Sequence, residues 1–238
     1  MPQGGCKQKL KELLKFLMLN EIFIEINNNR EWRLEELREY QNIIANLSAS
    51  DNIEAYDRRV KIILKSMLPM IYAHWEGFVK YSIEMLFRYL NQLQLPSSQY
   101  NGIFLATAYE QDLSKTPDII NFEKRVEHLN CLYSKFASFV CFESKIDTEA
   151  NLNFKVLSKI CKRLNINASS FDTYSSELNK LLEFRNKIVH GENSLPFEDY
   201  DQIVPFIELL ENLMLDFQVA IQELIQDEKY KRCENESV

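Results

Sequence analysis

Residues 175–192 read SSELNKLLEFRNKIVHGE. Leu178, Leu181, Leu182, Ile188 and Val189 stand at i, i+3, i+4, i+10 and i+11, the apolar stripe of an amphipathic helix. The spacing predicts a helix that begins at Ser175 and ends at Gly191 in a left-handed cap. Arg185 interrupts the stripe, three residues from Leu182 and Ile188 and four from Leu181 and Val189. A guanidinium on such a face must be paired, reach out to solvent, or meet an incoming anion. Beside it Asn179, Glu183, Asn186 and His190 form a polar row at i, i+4, i+7 and i+11.

The rest of the chain reads as helical too. Among 238 residues there are only 5 Gly and 6 Pro, and 46% are hydrophobic, which is enough for a real core. From Ile53 to Leu93 a single long helix or a slightly kinked one is expected, with Ile71, Trp75, Phe78, Ser82, Met85 and Tyr89 as a bundle seam at steps of four and three and Pro69 as a kink or a junction between two helices. Lys7 to Asn20 looks helical, and EIFIEI (Glu21 to Ile26) suits either a short strand or the end of that helix. Asn27 to Asn29 reads as a break, with a further helix to Leu47 and SASDN as the next turn. Other helices are expected from Thr116 and Pro117 through FEKRVEHLNCLYSKFASFV, from Asp147 or Thr148 to Leu164, and from Phe197 to Asp227. A polar tail, DEKYKRCENESV, is expected to fray. Residues 97–117 carry the weakest pattern. The resulting division is an extension over 1–29, a helical domain over 30–227 and the tail over 228–238.

Several function classes are disfavoured at this level. No apolar run approaches the length needed to span a bilayer, so a cytoplasmic protein is the expectation. Cys6, Cys131, Cys141, Cys161 and Cys233 are odd in number and contain no CxxC pair, as reduced thiols would be, with three of them expected in core helices. A metal site would have to lean on His128 and Cys131 with distant partners, and none is assigned. The net charge of −7 argues against bulk electrostatic coating of nucleic acid. Locally, Lys155, Lys159, Lys162 and Arg163 share one helical face with no acidic residue between Glu149 and Asp172. That stripe is either a solvated surface or a groove for a polyanion.

RNKIVH, Arg185 to His190, resembles the arginine, polar residue, three residues, histidine signature of the HEPN superfamily (higher eukaryotes and prokaryotes nucleotide-binding). IYAHWEGFVKY (Ile71 to Tyr81) and NLNFKVLSKICKRLNI ahead of the motif helix are similar to a stand-alone bacterial branch of that superfamily described as nuclease-like. The resemblance spans roughly residues 30–225. It implies an all-α helical bundle with long antiparallel helices, a homodimer in which two motif copies face each other, and, in active members, a metal-independent endoribonuclease of toxin or antiphage-defence type with no cofactor. Carried over by position, Arg185 and His190 are the catalytic pair and Asn186 fills the polar position. Lys187 joins the stripe Lys155, Lys159, Lys162 and Arg163 as RNA-binding residues, and Glu76 is a candidate to orient Arg185. Some toxins of this superfamily carry a tyrosine two residues after the histidine, which a partner modifies; here Glu192 stands there, so that silencing scheme is in doubt, although an antitoxin or defence partner protein stays among the expected partners.

The chemistry suits the residues. Metal-free RNA cleavage uses the 2′-hydroxyl as nucleophile, with histidine to move protons and arginine to hold the charged phosphorane. Five residues at about 100° each set Arg185 and His190 about 140° apart around the helix axis, so two helices meeting at a two-fold converge them better than one. The competing readings are an arginine and histidine that cap the helix or pair with Glu183 and Glu192, and a HEPN-like module that binds nucleotide or protein without cleavage.

Overall fold

The computed structural model describes residues 4–47, 53–115, 121–143, 147–149, 151–192 and 200–233. The described residues hold eight α-helices joined by short 3₁₀ turns and loops, with no strand among them: α1 Gly4–Leu47, α2 Ile53–Leu93, α3 Gly102–Ala108, α4 Glu110–Lys115, α5 Phe122–Phe136, α6 Phe154–Arg163, α7 Ser175–Val189 and α8 Val204–Gln226. The all-α bundle is as expected. The SASDN turn, the Thr116–Pro117 start and the loop after Glu192 lie outside the described residues.

The two longest helices run antiparallel, since contacts pair rising numbers in α1 with falling numbers in α2. Arg88 bonds Glu21 and Glu25 near one end, and Glu36 lies 3.7 Å from His74 nearer the other. All six residues of the expected seam are buried, from Ile71 to Tyr89. Pro69 lies inside α2 without ending it. Trp75 meets Phe217 of α8 edge to face at 6.1 Å, and α8 buries Leu210, Leu213, Met214, Phe217, Ile221 and Leu224 against the same core. Burial of this kind contributes about 1.5–3 kcal/mol per large side chain, which is why α2 and α8 form the centre.

Several boundaries differ from the sequence reading. The expected break at Asn27–Asn29 is absent, and α1 passes straight through it, including EIFIEI. Ile22, Ile26 and Leu34 are buried on either side, so packing overrides the weak helix propensity of asparagine. Asn29 also accepts from Arg33 Nε at 2.9 Å. α5 begins at Phe122, where Asn121 caps Lys124 N–H, and α6 begins at Phe154, where Asn153 caps Val156 N–H. Thr148 is instead buried, its hydroxyl donating to Glu76. The last helix starts at Val204 after a 3₁₀ turn over Tyr200–Gln202.

The tail is not frayed through Arg232. Tyr230 is fully buried, the Lys229 carbonyl accepts from Asn101 and Asn165, and Arg232 N–H donates to Gln99 O. Of the cysteines described, Cys161 alone is in the core, while Cys131, Cys141 and Cys233 are exposed. No helix among the described residues is long and apolar enough to cross a membrane.

Candidate active site

The motif helix begins at Ser175 and runs to Val189, as the periodicity predicts. Leu178, Leu181 and Leu182 are buried, Ile188 is half-buried and Val189 is exposed. The stripe therefore leaves the core just where Arg185 enters it. Gly191, at φ 80°, closes a paired cap: its N–H donates to Ile188 O at 3.0 Å and Glu192 N–H donates to Lys187 O at 2.9 Å. The glycine is needed because a side chain at that φ is strained.

Arg185 turns inward and is half-buried. Its Nη1 donates to Asn186 Oδ1 at 2.9 Å, and its guanidinium carbon lies 5.2 Å from the centre of the Tyr72 ring on α2. No carboxylate pairs with it among the described residues. In contrast Arg38, Arg88 and Arg163 are each salt-bridged to glutamate. His190 is the exposed C-cap of α7, its backbone N–H donating to Asn186 O at 3.0 Å. Asn186 thus touches both motif residues, by side chain to one and by carbonyl to the other.

Tyr72 is the residue the sequence reading missed. Its side chain is buried, and its hydroxyl accepts from Leu152 N–H at 2.5 Å, which ties the segment before α6 to the floor beneath Arg185. Burial pushes the Tyr72 phenol up to about 12, so it stays neutral. The only prior signal was its position one turn before Glu76 in IYAHWEGFVKY.

Glu76 does not bond Arg185 in this chain. It accepts from Lys80 at 2.6 Å and from Thr148 Oγ1 at 2.7 Å. Burial opposes its charge, but the bonds from Lys80 and Thr148, the Lys80 charge and the Tyr72 hydroxyl together hold the carboxyl below its usual range. His74 and Gly77 of the same stretch face α1 instead. His74 is buried without a hydrogen bond to Nε2, edge-on to Trp32 at 5.7 Å, and burial lowers its pKa. A Cβ on Gly77 would stand 2.8 Å from the Arg33 guanidinium, so any larger residue there would have to displace that side chain end.

The expected RNA-binding residues are only partly available. Lys159 is paired with Glu149 and Arg163 with Glu110. Lys187 holds Glu183 at 2.6 Å one turn back on an exposed face. Lys155 and Lys162 are exposed with no carboxylate partner among the described residues. His128 meets the Asp112 carbonyl at 3.0 Å through Nε2, and the described residues hold no group of three His, Cys, Asp or Glu side chains arranged for a metal.

One family model, described as RiboL-PSP-HEPN, matches residues 28–225, a span that includes Arg185, Asn186 and His190. The chain belongs to the RiboL-PSP-HEPN family. No curated protein and no solved structure matches it. HEPN membership ties it to nuclease-like or nucleotide-binding function. The RiboL-PSP-HEPN match opens inside α1, so the first part of that helix precedes it.

Proposed function

We infer that this chain is a metal-independent endoribonuclease of toxin or antiphage-defence type, acting as a homodimer with Arg185 and His190 near the two-fold. The observation that carries this reading is Arg185, held half-buried by Tyr72 and Asn186 yet without a carboxylate among the described residues. Keeping a partly desolvated cation without a counter-charge is costly unless an anion arrives. A phosphate answers that need, and the planar fork can grip two of its oxygens.

The step is a transesterification. The 2′-oxygen loses its proton to a base and attacks the adjacent phosphorus, the P–O5′ bond breaks, and the departing 5′-oxygen takes a proton. His190 moves a proton, while Arg185 neutralises charge on the phosphorane. Because Arg185 turns towards α2 and His190 towards solvent, a second copy is the natural source of the histidine for each arginine.

A second reading has its own support. The ion pairs of Lys159 and Arg163 remove half of the expected basic stripe, which suits a HEPN-like module that binds nucleotide or protein and regulates a complex without cleavage. Incubation with labelled RNA in chelator, beside His190→Ala, separates the two. Cleavage by the wild type alone supports the nuclease; binding without cleavage supports the module.

A further inference from the structure

α5 carries an apolar seam that the other described residues leave largely exposed, with Phe136 at its end meeting the Tyr109 ring edge-on at 4.8 Å. Phe122, Val126, Leu129, Tyr133 and Phe136 recur at alternating steps of four and three, which keeps them in one row along the helix. They are 76%, 40%, 45%, 71% and 39% exposed, and Phe139 just beyond them is 61% exposed. The helix is attached to the body through another face. Leu132 is its buried residue, His128 meets the Asp112 carbonyl, and Lys135 pairs with Asp112. Scattered surface apolar residues are ordinary, but an ordered row of this length marks an interaction surface.

We propose that this seam is a self-association surface, occupied by α5 of a second copy packed antiparallel. The regular steps fit a helix of matching spacing, because each knob needs a hole formed at the same interval, and another α5 supplies that seam at equal length. With aromatic side chains covering ~150–250 Å² each, the six exposed side chains present roughly 700 Å², close to the ~800 Å² per partner of a stable interface. Antiparallel packing opposes the two helix dipoles, which favours that sense over the parallel one. A two-fold contact of this kind is isologous.

None of Arg185, Asn186 and His190 takes part, so the surface stands whether or not the chain cleaves RNA. Where motif helices pair across a two-fold of their own, the α5 contact joins two such pairs. Size-exclusion chromatography with light scattering at micromolar concentration tests it on the full chain. Leu129→Glu with Tyr133→Glu is expected to halve the wild-type mass with an unchanged far-ultraviolet spectrum, whereas Leu129→Met with Tyr133→Phe keeps it. Phe122→Glu, at the most exposed position, gives an independent reading by dilution: a dissociation constant raised at least tenfold. A monomeric wild type, or a glutamate double variant of wild-type mass, overturns the proposal and means that the seam serves the chain itself or a different protein.

Discussion

The guanidinium of Arg185 lies 5.2 Å from the centre of the Tyr72 ring, and the Tyr72 hydroxyl in turn holds the Leu152 backbone. The motif arginine is therefore set by α2 and by the segment before α6, not by α7 alone. A cation over an aromatic face contributes about 0.5–2 kcal/mol, enough to fix an orientation. Tyr72→Phe keeps the ring and leaves Leu152 N–H buried without an acceptor, so it should lose about 1–3 kcal/mol of stability while the folded protein stays active. Tyr72→Leu removes the platform as well and should lower kcat more than it raises KM. Equal activity of the two variants per folded molecule would show that the ring does not position Arg185.

Arg185→Lys keeps a charge and loses the planar fork, so it should fold and lose most activity. His190→Ala should lose about 10²- to 10⁴-fold in rate with little change in thermal midpoint, since the residue is exposed at a helix end. Mixing the two inactive variants should restore part of the activity if each site takes its arginine and histidine from different copies. Absence of any recovery in mixed dimers would assign both residues to one chain.

Lys155→Glu with Lys162→Glu should weaken RNA binding and make the slope of log affinity against log salt shallower by at least ~1.4, because each lost phosphate contact on a single strand removes about 0.7. These two lysines are free of carboxylates among the described residues, whereas Lys159 and Arg163 reach a phosphate only by leaving Glu149 and Glu110. An unchanged slope would reduce the stripe to a solvated face.

His74 gives a pH signature of the α1–α2 contact. Burial lowers its folded pKa below the unfolded value of about 6.5, with Arg33 acting in the same direction and Glu36 against them. The unfolded chain then binds more protons below that pH, so the stabilisation is fully present above about 6.5 and declines as pH falls towards the folded value. Denaturant titrations of the wild type and His74→Phe should diverge in that window, the variant showing the flatter pH dependence. Parallel curves would mean that His74 protonates without cost.

Local periodicity made α2 and α7 legible: the Ile71–Tyr89 seam is buried throughout, and Ser175 and Gly191 bound the motif helix. Punctuation misled where tertiary packing outweighed it. Three asparagines passed inside α1 because Ile26 and Leu34 anchor both sides, while Thr148 gave its hydroxyl to Glu76 and left Asn153 to cap α6. The tail looked polar enough to fray, yet Tyr230 fills the core next to Tyr100 at 6.0 Å. At the candidate site the sequence named Arg185, Asn186 and His190 but not Tyr72, since nothing local links residues 113 positions apart. For Glu76 the sequence offered a role beside Arg185, and the partners it holds instead, Lys80 and Thr148, include one from a distant loop.

The termini of the RNA products test the central claim most directly. Mass spectrometry of fragments made in chelator should find a 2′,3′-cyclic phosphate on one side of the cut and a 5′-hydroxyl on the other, with no cleavage of RNA methylated at the 2′-oxygen. Fragments bearing a 5′-phosphate, or activity that vanishes with chelator, would contradict attack by the 2′-hydroxyl and the roles given to Arg185 and His190.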